Sequence, residues 1–219
     1  MSEGPHPIAT SSQTVGPFFH FGLTANENLG LIASPGTPGE HIQLRVRVLD
    51  GAGDPVPDAM IELYQADAGG RYPDSTEPPP PPARRSAQRG GGSPEPRLPA
   101  AAHSAQAGAP AVFSGFGRLP TGADGSCQFQ TIKPGVVRTN GFEQAPHLNV
   151  CLLARGLLRQ VYTRIYFTGD PALAADPILT LVSADRRSTL LAEPSAGEPG
   201  LWEFVIRLQG SAETVFFDL

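Results

Sequence analysis

Two polar side chains in the segment APHLNVCLLARG, residues 145–156, have the spacing of a metal-binding pair. His147 and Asn149 lie two residues apart on a predicted β-strand, which places both side chains on the same face of a sheet. A second histidine at position 149 would supply a second ligand to a metal ion bound by His147. Because asparagine occupies that position, the residues alone leave two interpretations open: a metal site that has lost a ligand, or a polar pair that never held metal.

The elements that must position this pair are predicted to be β-strands. Residues 41–50 alternate apolar and polar side chains at period two, and residues 60–67 repeat that pattern. Further strands are expected within segments 122–135, 145–156, 159–167, 201–209 and 213–219. The one helix candidate is residues 183–193, which Ser183 could cap and which could turn two leucines toward the core. Short strands with frequent turns predict a mainly β fold, a β-sandwich with little helix.

Length and composition favour one globular domain over residues 1–219. The net charge of −5 and the pI near 5.5 argue against a nucleic-acid partner or an anionic membrane surface. Cys127 and Cys151 are the only cysteines, and their wide spacing suits a reducing cytoplasm better than a disulfide scaffold. The first residues lack the pattern of a signal peptide, and no apolar run approaches the roughly 20 residues of a membrane span. We therefore expect a cytoplasmic location.

The first 30 residues are predicted to form an N-terminal arm. Residues 10–23 are rich in phenylalanine without a clean period, and the Gly16-Pro17 pair favours an extended turn. The phenylalanines at positions 18, 19 and 21 need burial. They could pack on this chain's own sandwich or on a neighbouring subunit, and the residues alone do not distinguish these two packing sites.

Residues 77–111 are expected to be a disordered surface loop. The segment is dominated by proline, glycine, serine and alanine and contains no aromatic residue, so it cannot bury enough surface to offset the entropy of ordering. A proline-rich ligand for a peptide-binding module is the less favoured alternative.

Seven motifs occur in an order that resembles the intradiol ring-cleavage dioxygenases. They are SSQTVGPFFHFGL, YQADAGGRYPD, FGR, TIKPGVV, APHLNVCLLARG, YTRIYFTGDP and RLQGSAETVFFDL. The resemblance covers nearly the whole chain except the 77–111 loop. The APHxN…ARG variant and the ETVFFD ending are similar to the alpha chain of the members that are built from two kinds of chain.

That resemblance implies a β-sandwich that works as a pair with a homologous beta chain, several pairs forming a larger particle. The implied cofactor is a non-haem Fe(III), held by two tyrosines and two histidines of the beta chain. The implied reaction opens the ring of 3,4-dihydroxybenzoate between its hydroxyl carbons with O₂ and yields 3-carboxy-cis,cis-muconate. In this scheme the protein tunes the metal and positions the substrate.

The same resemblance assigns the four ligand positions of this chain. They are Tyr72, Val137, His147 and Asn149. Valine has no donor atom, and an asparagine amide is a poor ligand for hard Fe(III). We interpret the set as the remnant of a metal site and expect His147 and Asn149 to be hydrogen-bonded polar residues in a partly filled pocket. A metal-binding role of this chain's own is the alternative.

The resemblance also implies that this chain lines the substrate pocket on the partner's iron. The matching residues are Gly16, Pro17, Phe18 and Arg155. A guanidinium at Arg155 would complement the substrate carboxylate and fix the orientation of the ring. The family commonly has tyrosine where this chain has Phe18, so one hydrogen bond, worth roughly 0.5–1.5 kcal/mol, would be lost there.

Two rival functions stay open at this point. One is a β-sandwich binding or carrier domain that kept the fold without the chemistry. The other is a single-chain ring-cleaving enzyme, which Val137 and Asn149 disfavour because they leave the iron two ligands short.

Overall fold

The computed structural model describes residues 22–73, 112–139 and 141–218. The predicted pocket residues Gly16, Pro17 and Phe18 and the loop 77–111 lie outside the described residues. Ten strands form in the described part: β1 His41–Leu49, β2 Met60–Gln65, β3 Phe116–Pro120, β4 Ser126–Ile132, β5 Val137–Thr139, β6 Phe142–Gln144, β7 His147–Leu153, β8 Val161–Phe167, β9 Leu191–Pro194 and β10 Leu201–Arg207. Short 3-10 helices cover Glu27–Gly30, Pro171–Ala175, Leu179–Leu181 and Arg187–Leu190.

Eight strands hydrogen-bond in the continuous order β3-β2-β7-β8-β9-β10-β1-β4, and β5 and β6 form a separate hairpin. The β8–β9 and β1–β10 pairs are parallel, and the other pairs in the sheet are antiparallel. Strand β9 joins two layers, with β3, β2, β7 and β8 on one side of it and β10, β1 and β4 on the other. One apolar cluster takes residues from both layers, so the layers pack face to face.

Alternation along the strands explains this packing. In β1 the side chains of Leu44, Val46 and Val48 are fully buried, while the residues between them face outward or are half-buried. In β7 the buried partners are Leu148 and Val150. Each apolar side chain removed from water contributes about 1.5–3 kcal/mol to folding. The predicted mainly β sandwich is confirmed, and no helix within the described residues is long and apolar enough to cross a membrane.

The predicted helix over residues 183–193 is wrong. The structure has a 3-10 turn at Arg187–Leu190 and then strand β9, and no side chain, Ser183 included, caps the turn. Leu190 is nevertheless fully buried. Strand β9 pairs with β8 on one side and β10 on the other, so two sets of tertiary hydrogen bonds outweigh the local preference for helix.

The predicted strand over residues 213–219 is also wrong as far as Asp218, the last described residue. Its one ladder contact is an isolated bridge between Phe217 and Tyr162 of β8. The carbonyl of Val215 instead accepts a hydrogen bond from the Thr163 hydroxyl at 2.7 Å. A side chain thus takes the place of a backbone partner, and no continuous ladder forms.

Candidate functional site

The four positions of the predicted metal-site remnant lie together at one end of β7. The Tyr72 hydroxyl is 3.1 Å from Nε2 of His147, and Nδ2 of Asn149 donates to that hydroxyl at 2.8 Å. Val137 begins β5 and lines the same cleft as Tyr72. Residues 75 positions apart along the chain therefore meet, as the motif order suggested.

Two glycine turns bring Tyr72 and Val137 into this cluster. Asp67 closes the first turn, because its Oδ1 accepts the backbone N–H groups of Gly69 and Arg71 at 2.8 and 3.0 Å. Gly70 has φ +79°, and a Cβ there would run into the carbonyl oxygen of Val136. Only glycine satisfies both the backbone conformation and this close approach. The GGRY turn and the KPG turn consequently pack backbone against backbone.

His147 is held in one tautomer by its neighbours. Its Nδ1 lies 2.7 Å from the carbonyl oxygen of Ala145, so Nδ1 carries the proton and Nε2 accepts from the Tyr72 hydroxyl. The side chain is fully buried. Burial, with the charge of Arg164 adding to it, lowers the pKa of His147 to about 4. The ring is therefore neutral at pH 7.

Tyr72 is fixed by stacking and hydrogen bonding. Its ring stacks on Tyr64 with centroids 4.9 Å apart, and Asn149 Nδ2 reaches both the Tyr72 hydroxyl and the Tyr64 carbonyl oxygen, the latter at 3.3 Å. Burial raises the pKa of Tyr72, although the Asn149 hydrogen bond and the charge of Arg164 act in the opposite direction. The phenol stays protonated at neutral pH.

These side chains do not fit a ferric ion. The Tyr72 oxygen is engaged by both His147 and Asn149. Val137 offers no donor, and the Asn149 amide nitrogen points its hydrogens at the Tyr72 oxygen. Across the described residues no group of three or more His, Cys, Asp or Glu side chains could hold a metal either. The cluster is a hydrogen-bonded unit that satisfies its own polar groups.

A second ring of residues supports the cluster, and the sequence analysis did not identify it. Asp176 is buried and accepts from the Ala145 backbone N–H at 2.8 Å and from the Tyr166 hydroxyl at 3.1 Å. It also accepts from the N–H groups of two residues that follow it, Ile178 and Leu179. The Asp-Pro pair at 176–177 was a visible turn signal, but burial of its carboxylate depends on β6 and β8 and has no local signature.

Arg155 lies away from this cluster. It follows the carboxyl end of β7, whereas His147 begins that strand, and a strand of seven residues is about 20 Å long. The Arg155 side chain is 58% exposed and forms a 3.4 Å ion pair with Asp58, which is also largely exposed. The chain therefore carries its remnant cluster and its predicted substrate-binding arginine at opposite ends of one strand.

Comparisons with known proteins agree with this architecture. The family model described as "Dioxygenase" (Dioxygenase_C) matches residues 15–87. The chain is 38% identical over 223 residues to the protocatechuate 3,4-dioxygenase alpha chain of Burkholderia cepacia, covering 96% of this chain and 97% of that one. It is 30% identical over 212 residues to the beta chain from the same organism, covering 93% of this chain and 77% of the relative.

Solved structures of lower sequence identity share the fold. The dioxygenase domain of a dioxygenase carbohydrate-binding protein fusion from Streptomyces sp. SirexAA-E superposes with a TM-score of 0.55 at 22% identity, covering 98% of this chain and 97% of that chain. The 3-chlorocatechol 1,2-dioxygenase of Rhodococcus opacus 1CP gives a TM-score of 0.55 at 16% identity, covering 94% and 69%. By full-length identity to alpha chains and by fold, the chain belongs to the intradiol ring-cleavage dioxygenases, as an alpha subunit.

Proposed function

We propose that this chain acts with an iron-bearing beta chain to cleave protocatechuate (3,4-dihydroxybenzoate) with O₂ to 3-carboxy-cis,cis-muconate. The oxygen chemistry takes place on the non-haem Fe(III) of the beta chain. This chain contributes the wall of the substrate pocket that recognises the carboxylate. The relatives of both kinds, alpha and beta, support the pairing.

The observation that carries this proposal is the hydrogen-bonded cluster of Tyr72, His147 and Asn149. Tyr72 hydrogen-bonds to both His147 and Asn149, and two of the four ligand positions have no suitable donor. An iron held here would have to break these hydrogen bonds and would find no donor atom on Val137. The proposal therefore assigns the metal to a companion polypeptide.

The proposed contribution of this chain is the Arg155 guanidinium, together with Gly16, Pro17 and Phe18 from the arm. Arg155 stands on the β7–β8 connection with more than half of its side chain exposed, and its one charged partner within the described part of the chain is an exposed Asp58. Exposed pairs of this kind contribute at most about 1 kcal/mol. The arginine can therefore exchange that partner for a substrate carboxylate at low cost.

Co-expression with the beta chain tests the proposal. The partner would be a reading frame of the same genome that carries the GRY, KPGPYPW and HIHF motifs of an intact iron site. We expect the two chains to co-purify and the pair to consume O₂ with protocatechuate, one O₂ per substrate. Failure of the chains to associate, or full activity from this chain alone, would overturn the proposed division of labour.

A further inference from the structure

The cleft beside the metal-site remnant has a composition of its own. It has a volume of about 560 Å³, within the range of small-molecule sites. Its lining comes from the GGRY turn, Val136 and all of β5, the end of β6 and the middle of β8. Among the described residues three arginines line it and no acidic side chain does, although the chain as a whole carries a net charge of −5.

The three guanidiniums reach the cleft from different elements. Arg71 is exposed, and its side chain forms no hydrogen bond or ion pair with any of the described residues. Arg164 uses Nη1 for Gln144 at 2.8 Å and the Tyr166 hydroxyl at 3.4 Å, which leaves Nε and Nη2 without a partner among the described residues. Arg138 is paired with Glu143 at 2.7 Å, outside the lining. At least two of the three therefore retain free donors.

The other described lining residues add no carboxylate to balance them. They are glycine, valine, threonine, glutamine and the phenol of Tyr72. The nearest carboxylate on the GGRY turn, Asp67, is engaged with backbone N–H groups of that turn. Positive charge that converges on a concave surface without a counter-charge attracts anions.

We propose that this cleft is a metal-free binding site for a small organic anion with two or more carboxylates. Guanidiniums that stand on separate elements can each take one carboxylate through two parallel hydrogen bonds. Val136 and Val137 provide an apolar wall for the carbon skeleton between them. A single carboxylate would engage one guanidinium and leave the others uncompensated. This inference does not depend on the proposed role of Arg155, which follows the other end of β7.

Calorimetric titration of the purified full chain with benzene-1,3,5-tricarboxylate tests the site, with benzoate as the monocarboxylate comparison. We expect one saturable site for the tricarboxylate and at least about tenfold weaker binding of benzoate, the equivalent of one charged hydrogen bond. Affinity for the tricarboxylate should fall as salt rises, because ions screen accessible charges.

Variants locate the binding. Arg164→Gln and Arg71→Gln should each weaken tricarboxylate binding about tenfold. Arg45→Gln is the matched control, because Arg45 is an ion-paired arginine on the outward face of β1, outside the cleft lining. If Arg164→Gln misfolds by circular dichroism, Arg71→Gln decides alone, since its side chain holds no described contact. Absence of saturable binding, or binding that the cleft variants leave unchanged, would overturn the inference.

Discussion

Single side chains decide what the cluster at the start of β7 can bind. Valine at position 137 removes a donor, and asparagine at position 149 supplies N–H groups where a metal needs a lone pair. The two retained groups, Tyr72 and His147, then satisfy each other at 3.1 Å. The polar atoms at these positions therefore make structural contacts in this chain.

We expect Arg155 to contribute to binding of the substrate carboxylate and not to binding of the rest of the substrate. In the assembled enzyme, Arg155→Ala should raise KM for protocatechuate about tenfold or more, the value of one charged hydrogen bond. KM for catechol, which lacks the carboxylate, should stay within about twofold. Steady-state oxygen uptake with both substrates measures the two effects.

The control for this experiment is Arg159→Ala. Arg159 is exposed on the same connection and pairs with Asp218 at 3.2 Å. The substitution therefore removes a positive charge from the same surface. It should leave both KM values unchanged. Equal losses on protocatechuate and catechol in Arg155→Ala would remove Arg155 from carboxylate recognition.

The buried ring of His147 should couple stability to pH. Its pKa in the folded chain is about 4, below the 6.5 of the unfolded chain, so the unfolded state binds more protons between these values. The free energy of unfolding should therefore rise by about 3 kcal/mol as pH increases from about 4 to 6.5, and this contribution should be constant above that. Urea unfolding at several pH values and the NMR titration of the ring measure it. A ring that titrates near 6.5 in the folded chain would contradict the expectation.

At the scale of elements, two touching turns bring Tyr72 and Val137 to the cluster at the start of β7. The Gly70 turn and the segment around Val136 touch through their backbones, and Gly135 donates its N–H to the carbonyl of Asp67 at 2.9 Å. The turn has no room for a Cβ atom at position 70. The sequence signal for it was the pair of glycine-containing motifs, but their mutual contact was not predictable from either one.

Gly70→Ala should therefore destabilise the chain beyond the cost of its backbone conformation. Gly169→Ala is the matched control, because Gly169 has φ +81° and nothing near its Cβ position. We expect about 1–2 kcal/mol for the control, and a further 1–3 kcal/mol for Gly70→Ala because the Val136 backbone must move. Thermal unfolding of both variants measures the difference. Equal shifts in Tm would show that the two turns do not press on each other.

At the scale of the whole molecule, the two ends of β7 have different tasks. The end at His147 holds a self-satisfied cluster and an arginine-lined cleft, while the end at Arg155 presents an exposed guanidinium. The proposed division of labour places the reactive iron in the partner. A subunit without a complete ligand set can still shape the substrate pocket of its neighbour.

The chain purified alone should accordingly contain no stoichiometric iron and show no dioxygenase activity. Two ligand positions without a suitable donor, Val137 and Asn149, oppose metal binding. Elemental analysis and the visible spectrum check this, with the co-expressed pair as the positive control. One tight Fe(III) per chain, with the purple-red absorption of a tyrosinate complex, would contradict it.

The sequence by itself determined the strand-rich fold and the alternation of β1 and β2. These features are local: period-two burial and short motifs are visible within ten residues. The same local reasoning failed in two places. It predicted a helix over residues 183–193 and a strand over residues 213–219.

Only the tertiary structure decided which distant groups meet. Strand β9 forms because it hydrogen-bonds to β8 on one side and β10 on the other. In the C-terminal tail, the carbonyl of Val215 accepts a hydrogen bond from the Thr163 side chain in place of a backbone partner. The contact of Tyr72 with His147, the burial of Asp176 and the convergence of three arginines all join segments far apart in the chain. Hydrogen-bond partners and local charge follow from packing, and packing depends on every strand at once.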